Sequence, residues 1–359
     1  MRAGPPQEVL SGTCGWAPVV SSWLGGRLLD ADVPVRRGRV VAQVGQRVPE
    51  RLTLTVPRFD GLRDMRPGDR VDHPLARYGQ ELQVSILVSS AVDTDTWETR
   101  IGRFLVTDWD DGDDGTITVI AAGRLRRVED AKLTSPTQPG TGATLMSEAR
   151  RLLPAGMSAA FAPGLADRLC PAAMAWSEDR LAALREIADA WPALLRTDEW
   201  GQVVFRRPLA AVPVPVLTLR DGERGALASA GRSDTREGAY NQVVARSSAA
   251  GVEDVQAIAQ QTAGPLSVHG QYGPVTKIWS SPLVVTTEQA LAAAQTMLAS
   301  SILPATSVPV RCVPDPRIDL DDPVEIGRDG ERVWGYVTGY DLPLTVTDGE
   351  MRVDVGVSM

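Results

Sequence analysis

The sequence predicts a mainly β protein with an α/β insert, in which two related β-domains flank a small α/β domain. Three observations carry this expectation. Apolar residues alternate with polar ones toward both ends of the 359-residue chain, the period that half-buried strands require. Helical periodicity is confined to the interior of the sequence. The two ends also share a pattern. Pro67-Gly68-Asp69-Arg70-Val71 is followed by Phe104-Leu105-Val106-Thr107-Asp108, and Leu320-Asp321-Asp322-Pro323-Val324 by Gly335-Tyr336-Val337-Thr338-Gly339. Each reads as an Asp-x-Val step from turn to strand, then a later strand carrying an aromatic and Val-Thr.

The first β-domain is expected over 1–133. Val33, Val35, Val40 and Val44, then Leu52, Leu54 and Val56, alternate with polar residues. A turn at 66–69 precedes strands at 80–88 and 103–109. The run Asp110-Asp111-Gly112-Asp113-Asp114-Gly115 then forms a hairpin tip, since Asp and Gly tolerate positive φ, and leads into a strand at 116–121. The Pro/Gly/Thr stretch 134–144 marks a boundary.

The α/β unit is expected over 140–207. It has a short helix at 145–153 and a stronger one at 177–191, with Leu181, Leu184, Ile187 and Trp191 on one stripe and Ser177 as N-cap. Glu178 and Asp179 supply first-turn charge, Pro192 ends the helix, and a hairpin at 193–206 turns at Asp198-Glu199-Trp200-Gly201. Residues 208–300 read as a mixed segment. Val212, Val214 and Val216 interleave with Pro213 and Pro215, so this piece is an edge strand or extended connector. A short strand lies at 242–245, with polar breaks at 221–238 and 247–251. An Ala-rich helix at 287–300 offers Leu291, Met297 and Leu298 for packing. Residues 301–359 complete the second β-domain, from Thr306 to Met359, with turns at 328–330 and 347–349.

Composition narrows the function. A net charge of −8 argues against direct nucleic-acid recognition, which rests on Lys and Arg neutralising phosphates. Lys132 and Lys277 are the only lysines. Cys14, Cys170 and Cys312 have no CxxC spacing, so they read as free thiols with neither disulfide nor zinc. No secretory leader and no run of about 18 apolar residues is evident, so no membrane segment is expected.

Motifs for catalysis are missing, and the chain is not expected to be an enzyme. The only histidines are His73, in a turn, and His269, at a strand end. Neither has an i, i+4 partner for a helical zinc site, and both read as surface or loop residues. Ala228-Ser229-Ala230-Gly231 lacks the first glycine of a nucleophile elbow. Gly140-Thr141-Gly142 lacks the third glycine of a dinucleotide fingerprint. The acidic run at 108–114 fails the EF-hand register, and Asp321 and Asp322 are neighbours that point apart. No cofactor or metal is expected.

Nine tryptophans stand against four phenylalanines. Trp97, Trp109, Trp200 and Trp334 lie beside charged or turn residues, and tryptophan is enriched at interface hot spots. They are the candidate interface residues.

The succession of elements, with Trp176-Ser177-Glu178-Asp179-Arg180-Leu181 opening a helix, Asp198-x-Trp200-Gly201 in a hairpin, Thr286-Thr287 opening a second helix and Asp321-Asp322-x-Val324 near the end, resembles tail-tip and baseplate hub proteins of bacteriophages. Its N-terminal third is also similar to actinophage minor tail proteins. The resemblance implies that each β-domain is a barrel. It implies a homotrimeric ring that adapts a hexameric tail tube to a threefold tip and closes or gates the lumen. The implied partners are a distal tail protein, the tape measure protein and a tip fibre or spike protein, in a virion assembled in the host cytoplasm. The alternatives are the hub of a bacterial contractile injection system and a tail-associated cell-wall hydrolase, the latter disfavoured by the missing nucleophile motifs.

Overall fold

The computed structural model describes residues 1–92, 94–171, 174–212, 214–223, 225–252 and 254–357. Pro213 and Met359, named above, lie outside them. After a short helix α1 (Gln7–Leu10) come β1 (Cys14–Leu24), β2 (Arg27–Asp30), β3 (Arg37–Gln43) and β4 (Glu50–Pro57). A two-strand ladder, β5 (Phe59–Asp60) and β6 (Arg63–Asp64), is followed by β7 (Gln80–Ser90), β8 (Thr96–Asp111) and β9 (Thr116–Gly123). The expected alternation is realised: Leu52, Leu54 and Val56 of β4 and Ile117, Val119 and Ala121 of β9 are buried, with threonines between several of them.

The middle contains α2 (Leu125–Asp130), α3 (Leu145–Leu152), β10 (Ala159–Phe161), α4 (Arg180–Ala190), β11 (Leu194–Thr197) and β12 (Val203–Arg206). Helix α4 starts three residues later than expected. Asp179, not Ser177, is its N-cap, accepting the Ala182 N–H at 2.9 Å, which satisfies an otherwise orphaned amide. Leu181, Leu184, Ile187 and Trp191 are buried as predicted.

The rest of the chain forms β13 (Leu217–Arg220), β14 (Leu227–Ala230), β15 (Ser233–Asp234), β16 (Gln242–Ser247), β17 (Gln256–Gln260), β18 (Thr276–Ser281), α5 (Thr287–Ile302), β19 (Thr306–Cys312), β20 (Pro323–Arg328), β21 (Glu331–Pro343) and β22 (Met351–Val357). Residues 208–300, expected as one mixed segment, divide between two cores. β13 to β15 join the C-terminal strands, and β16 to α5 pack with the middle helices. The 221–238 stretch, expected as a polar break, contains two short strands. Val212, Val214 and Val216 lie in an exposed connector, and Leu291 faces out of α5 at 39% exposure while Met297 and Leu298 are buried.

Among the described residues, fourteen strands form one sheet with the main order β14-β19-β22-β21-β3-β4-β9-β8-β7-β1-β2. Within it the same five-strand unit occurs twice. β3-β4-β9-β8-β7 has the same order and antiparallel pairing as β14/β15-β19-β22-β21-β20. The match extends to a defect. Val106 pairs with Ala121 and Asp108 with Ile120, leaving Thr107 bulged; Val337 pairs with Val355 and Gly339 with Asp354, leaving Thr338 bulged. Each bulged hydroxyl donates back across its ladder, Thr107 to Ile120 O and Thr338 to Asp354 O, both at 3.1 Å. A bulge sharpens strand twist, so both units bend at the same point.

The Val-Thr match in the sequence is therefore structural, but the Asp-x-Val match is not. Val324 lies in β20 and is fully buried, whereas Val71 sits in a turn, 60% exposed, ahead of β7. The structural counterpart of Val324 is Leu82, since each pairs two residues before its Val-Thr dipeptide.

Candidate assembly surfaces

The α/β core is fastened to the sheet through the β11–β12 hairpin. Arg196 makes a bidentate pair with Asp321 at 2.7 and 2.9 Å, and Arg206 donates to Asp319 at 3.1 Å. Asp319 also accepts from Arg2 at 2.9 Å, and Arg2 in turn reaches the Tyr340 hydroxyl at 2.8 Å. Thr197 donates to Glu50 at 2.9 Å. At the hairpin tip, Arg124 donates to Gly201 O and Gly156 O and to Glu81 at 3.0 Å. Arg103 at 2.7 Å and Arg127 at 3.2 Å complete a three-guanidinium shell around Glu81. Gly201 has φ +77°, and a Cβ there would meet Arg124 Cδ at 2.7 Å, so the close approach requires glycine.

These pins were not foreseen from sequence, because partners such as Arg196 and Asp321 are 125 residues apart. Asp321 and Asp322 do point apart: Asp321 faces Arg196, while Asp322 accepts the Asp319 N–H at 2.8 Å. In the acidic run, Asp111 faces Arg58 and Arg66, and Asp114 accepts from the Thr116 amide. Cys14, Cys170 and Cys312 are free thiols. Burial pushes the Cys170 thiol up to about 11 and the Cys312 thiol to about 12, so both stay protonated near neutrality.

His269 is exposed. His73, expected at the surface, is only 4% exposed, in a turn tied down by Ser22, which donates to Pro74 O, and by Gln80, which donates to Val71 O. Gln80 also donates to the His73 carbonyl at 3.0 Å, and His73 Nδ1 accepts the Leu75 N–H at 3.2 Å, so the neutral ring carries its proton on Nε2. Burial, with Arg70 nearby, lowers its pKa to about 4. The unfolded chain takes up this proton first, so the stability His73 contributes is present above about pH 6.5 and lost as pH falls toward 4. Between pH 7 and 4 the loss is expected to be about 2–3 kcal/mol. Calorimetry across that range checks it, with His73→Gln expected to flatten this part of the profile.

The four candidate tryptophans are not brought together. Trp97 lies near the start of β8, half-buried. Trp200 is at the hairpin tip, 57% exposed, with the Arg100 guanidinium 3.6 Å from its ring centroid. Trp334, 47% exposed, lines a groove of 960 Å³ with Leu209, Val212, Leu298 and Leu303. Trp109 lies on β8 just past the bulge and packs partly on the sheet core.

That position matters because of how the two units join. Beyond its bulge, β21 pairs on its outer side with β3, Gly339 to Pro343 against Gln43 to Arg39. Thr338 O accepts from Val44 N and Gly38 O from Leu344 N, both at 2.8 Å. Arg39 bridges to Asp341 at 2.6 Å. The equivalent stretch of β8, from Asp108 to Asp111, pairs only with β9, and β14 and β15 pair only with β19, among the described residues. The unit thus ends in two open edges, at positions whose counterparts are joined inside the chain. The bulged Val-Thr pair is the sequence signal that leads to them.

No protein-family model matches the sequence, and a search of characterised proteins finds no match. The fold is nonetheless similar to that of solved phage tail proteins. A tail protein from Neisseria meningitidis MC58 is 14% identical with a TM-score of 0.63, the match covering 95% of this chain and 96% of that one. The 43 kDa tail protein of prophage MuSo2 from Shewanella oneidensis is 14% identical with a TM-score of 0.60, over 94% and 98%. A prophage tail protein, gp18, from Listeria monocytogenes EGD-e is 9% identical with a TM-score of 0.53, over 96% and 95%. At these identities the likeness is one of fold, and it spans nearly the whole of each chain.

Proposed function

We propose that this chain is a structural protein of a bacteriophage tail tip, a hub whose copies close into a homotrimeric ring. The observation that carries the reading is the twofold repetition of one five-strand unit within a single sheet. Three such chains present six similar units, which suits a collar between a hexameric tube and a threefold tip. The fold likeness to phage tail proteins over about 95% of the chain supports it. In this reading the ring closes or gates the lumen and meets a distal tail protein, the tape measure protein and a tip fibre or spike protein. Trp97, Trp200 and Trp334 are candidates for those contacts. The protein acts in the virion after assembly in the host cytoplasm, and its role is non-enzymatic.

Light scattering after size exclusion tests the reading. A species near three times the 38.5 kDa chain mass is expected. A monomer at every accessible concentration would count against a self-assembling ring.

A further inference from the structure

We infer that copies of this chain join by strand pairing between their two open edges: the outer edge of β8, from Asp108 to Asp111, with the outer edge of β14 and β15 in the next copy. The inference rests on the ring-forming reading and supplies its interface. The template is the junction already present inside the chain. β3 corresponds to β14/β15 and β21 to β8, so the β3·β21 pairing specifies how the two free edges meet.

The backbone directions agree. Gly112 N–H goes to Thr116 O, so residues 108, 110 and 112 face β9 and the amides of Trp109 and Asp111 point outward, as antiparallel alternation requires. On the other edge, Gly231 N–H goes to Pro309 O and Thr235 N–H to Ala305 O. The Asp234 amide therefore points away from β19. The last of these bonds has its own counterpart in the first unit, Gln43 N–H to Pro49 O at 3.0 Å, which fixes the register without adjustment.

Copying the internal register places Trp109 opposite Asp234, Asp110 opposite Ser233 and Asp111 opposite Arg232. The bulged Thr107 carbonyl falls where Arg236 N–H can reach it, as Val44 N–H reaches Thr338 O. Exposure marks what is missing. At the internal junction Tyr340 and Leu342 are 3% and 0% exposed, while Asp108, Asp110, Asp111 and all of 231–238 are exposed in the single chain. The β8 edge carries Asp108, Asp110 and Asp111, whereas on the other edge Arg232 and Arg236 are balanced by Asp234 and Glu237, so an acidic edge meets a neutral one. Because the two edges differ, the contact is heterologous and head-to-tail, the kind that closes into a ring.

Asp110 and Ser233 would form a non-hydrogen-bonded pair, with Cα atoms about 4.5 Å apart, within the disulfide range. The full-length double variant Asp110→Cys, Ser233→Cys is expected to give dimers and trimers on a non-reducing gel that collapse on reduction, with neither single variant doing so. Separately, Asp111→Pro and Asp234→Pro remove outward amides that no other strand uses. Each is expected to raise the concentration of half-dissociation at least about tenfold, with the melting temperature of the dissociated chain unchanged. A trimer that withstands both prolines and yields no cross-link would overturn the edge pairing while leaving the ring reading intact. A wild-type monomer without cross-links would overturn both.

Discussion

Replacing Glu81 by alanine is expected to destabilise the protein by about 3–5 kcal/mol, the usual consequence of removing the counter-charge that shielded cations share. The Glu81 side chain is 4% exposed, and Arg103, Arg124 and Arg127 converge on it. Its loss leaves like charges facing one another, two of them well shielded from water. Arg124 is also the residue that reaches Gly201 at the tip of the β11–β12 hairpin, so the defect spreads from the sheet into the α/β core. Calorimetry is expected to show a melting temperature about 4–7 °C lower. Glu81→Gln, which retains hydrogen bonding without the charge, should fall between. A melting curve within about 2 °C of the parent would show that the guanidiniums find other partners or water.

At the base of the same hairpin, Asp319→Ala is expected to have an effect of similar size, about 3–5 kcal/mol. Burial alone would raise the Asp319 carboxyl pKa, but Arg2 and Arg206 outweigh it and hold the group below the usual carboxylate range. The folded-state pKa is depressed, so the stability Asp319 contributes is present above its unfolded value of about 3.9 and disappears as pH falls below that. The variant is therefore expected to lose stability at pH 7 and to show a flatter acid limb below pH 4. It should also be cleaved faster by trypsin at Arg196 and Arg206, once the hairpin is freed. An unchanged melting temperature at pH 7 would mean that the Arg196–Asp321 pair and the remaining contacts of the hairpin suffice as the fastening.

The β alternation of 38–43, 50–56 and 116–121 is legible in the sequence because those strands have one buried and one wetter face, whereas Val33, Val35 and Val44 fall in the connections beside β3. The α4 stripe is legible for the same reason at helical spacing. The Val-Thr dipeptides revealed the repetition because a bulged threonine with its back-bond is a local requirement of each unit. Asp-x-Val misled because the first unit inserts the turn around His73 before β7, while the second enters β20 directly. The strands β14 and β15 were invisible: Ala228, Ser229, Ser233 and Asp234 are exposed, and an edge lacking a neighbour has no apolar pattern to display. The pins were hidden for another reason. Sequence shows which arginines and aspartates exist, but only the fold brings residues over a hundred positions apart within 3 Å.

The junction of β3 with β21 also has a consequence in time. β3 leaves the ribosome about 300 residues ahead of its outer partner, which at about 5–20 residues per second is an interval on the order of 15 to 60 seconds. Throughout that interval the nascent chain holds an unclosed edge, flanked by Arg37 and Arg39. Charged flanks of this kind discourage premature pairing.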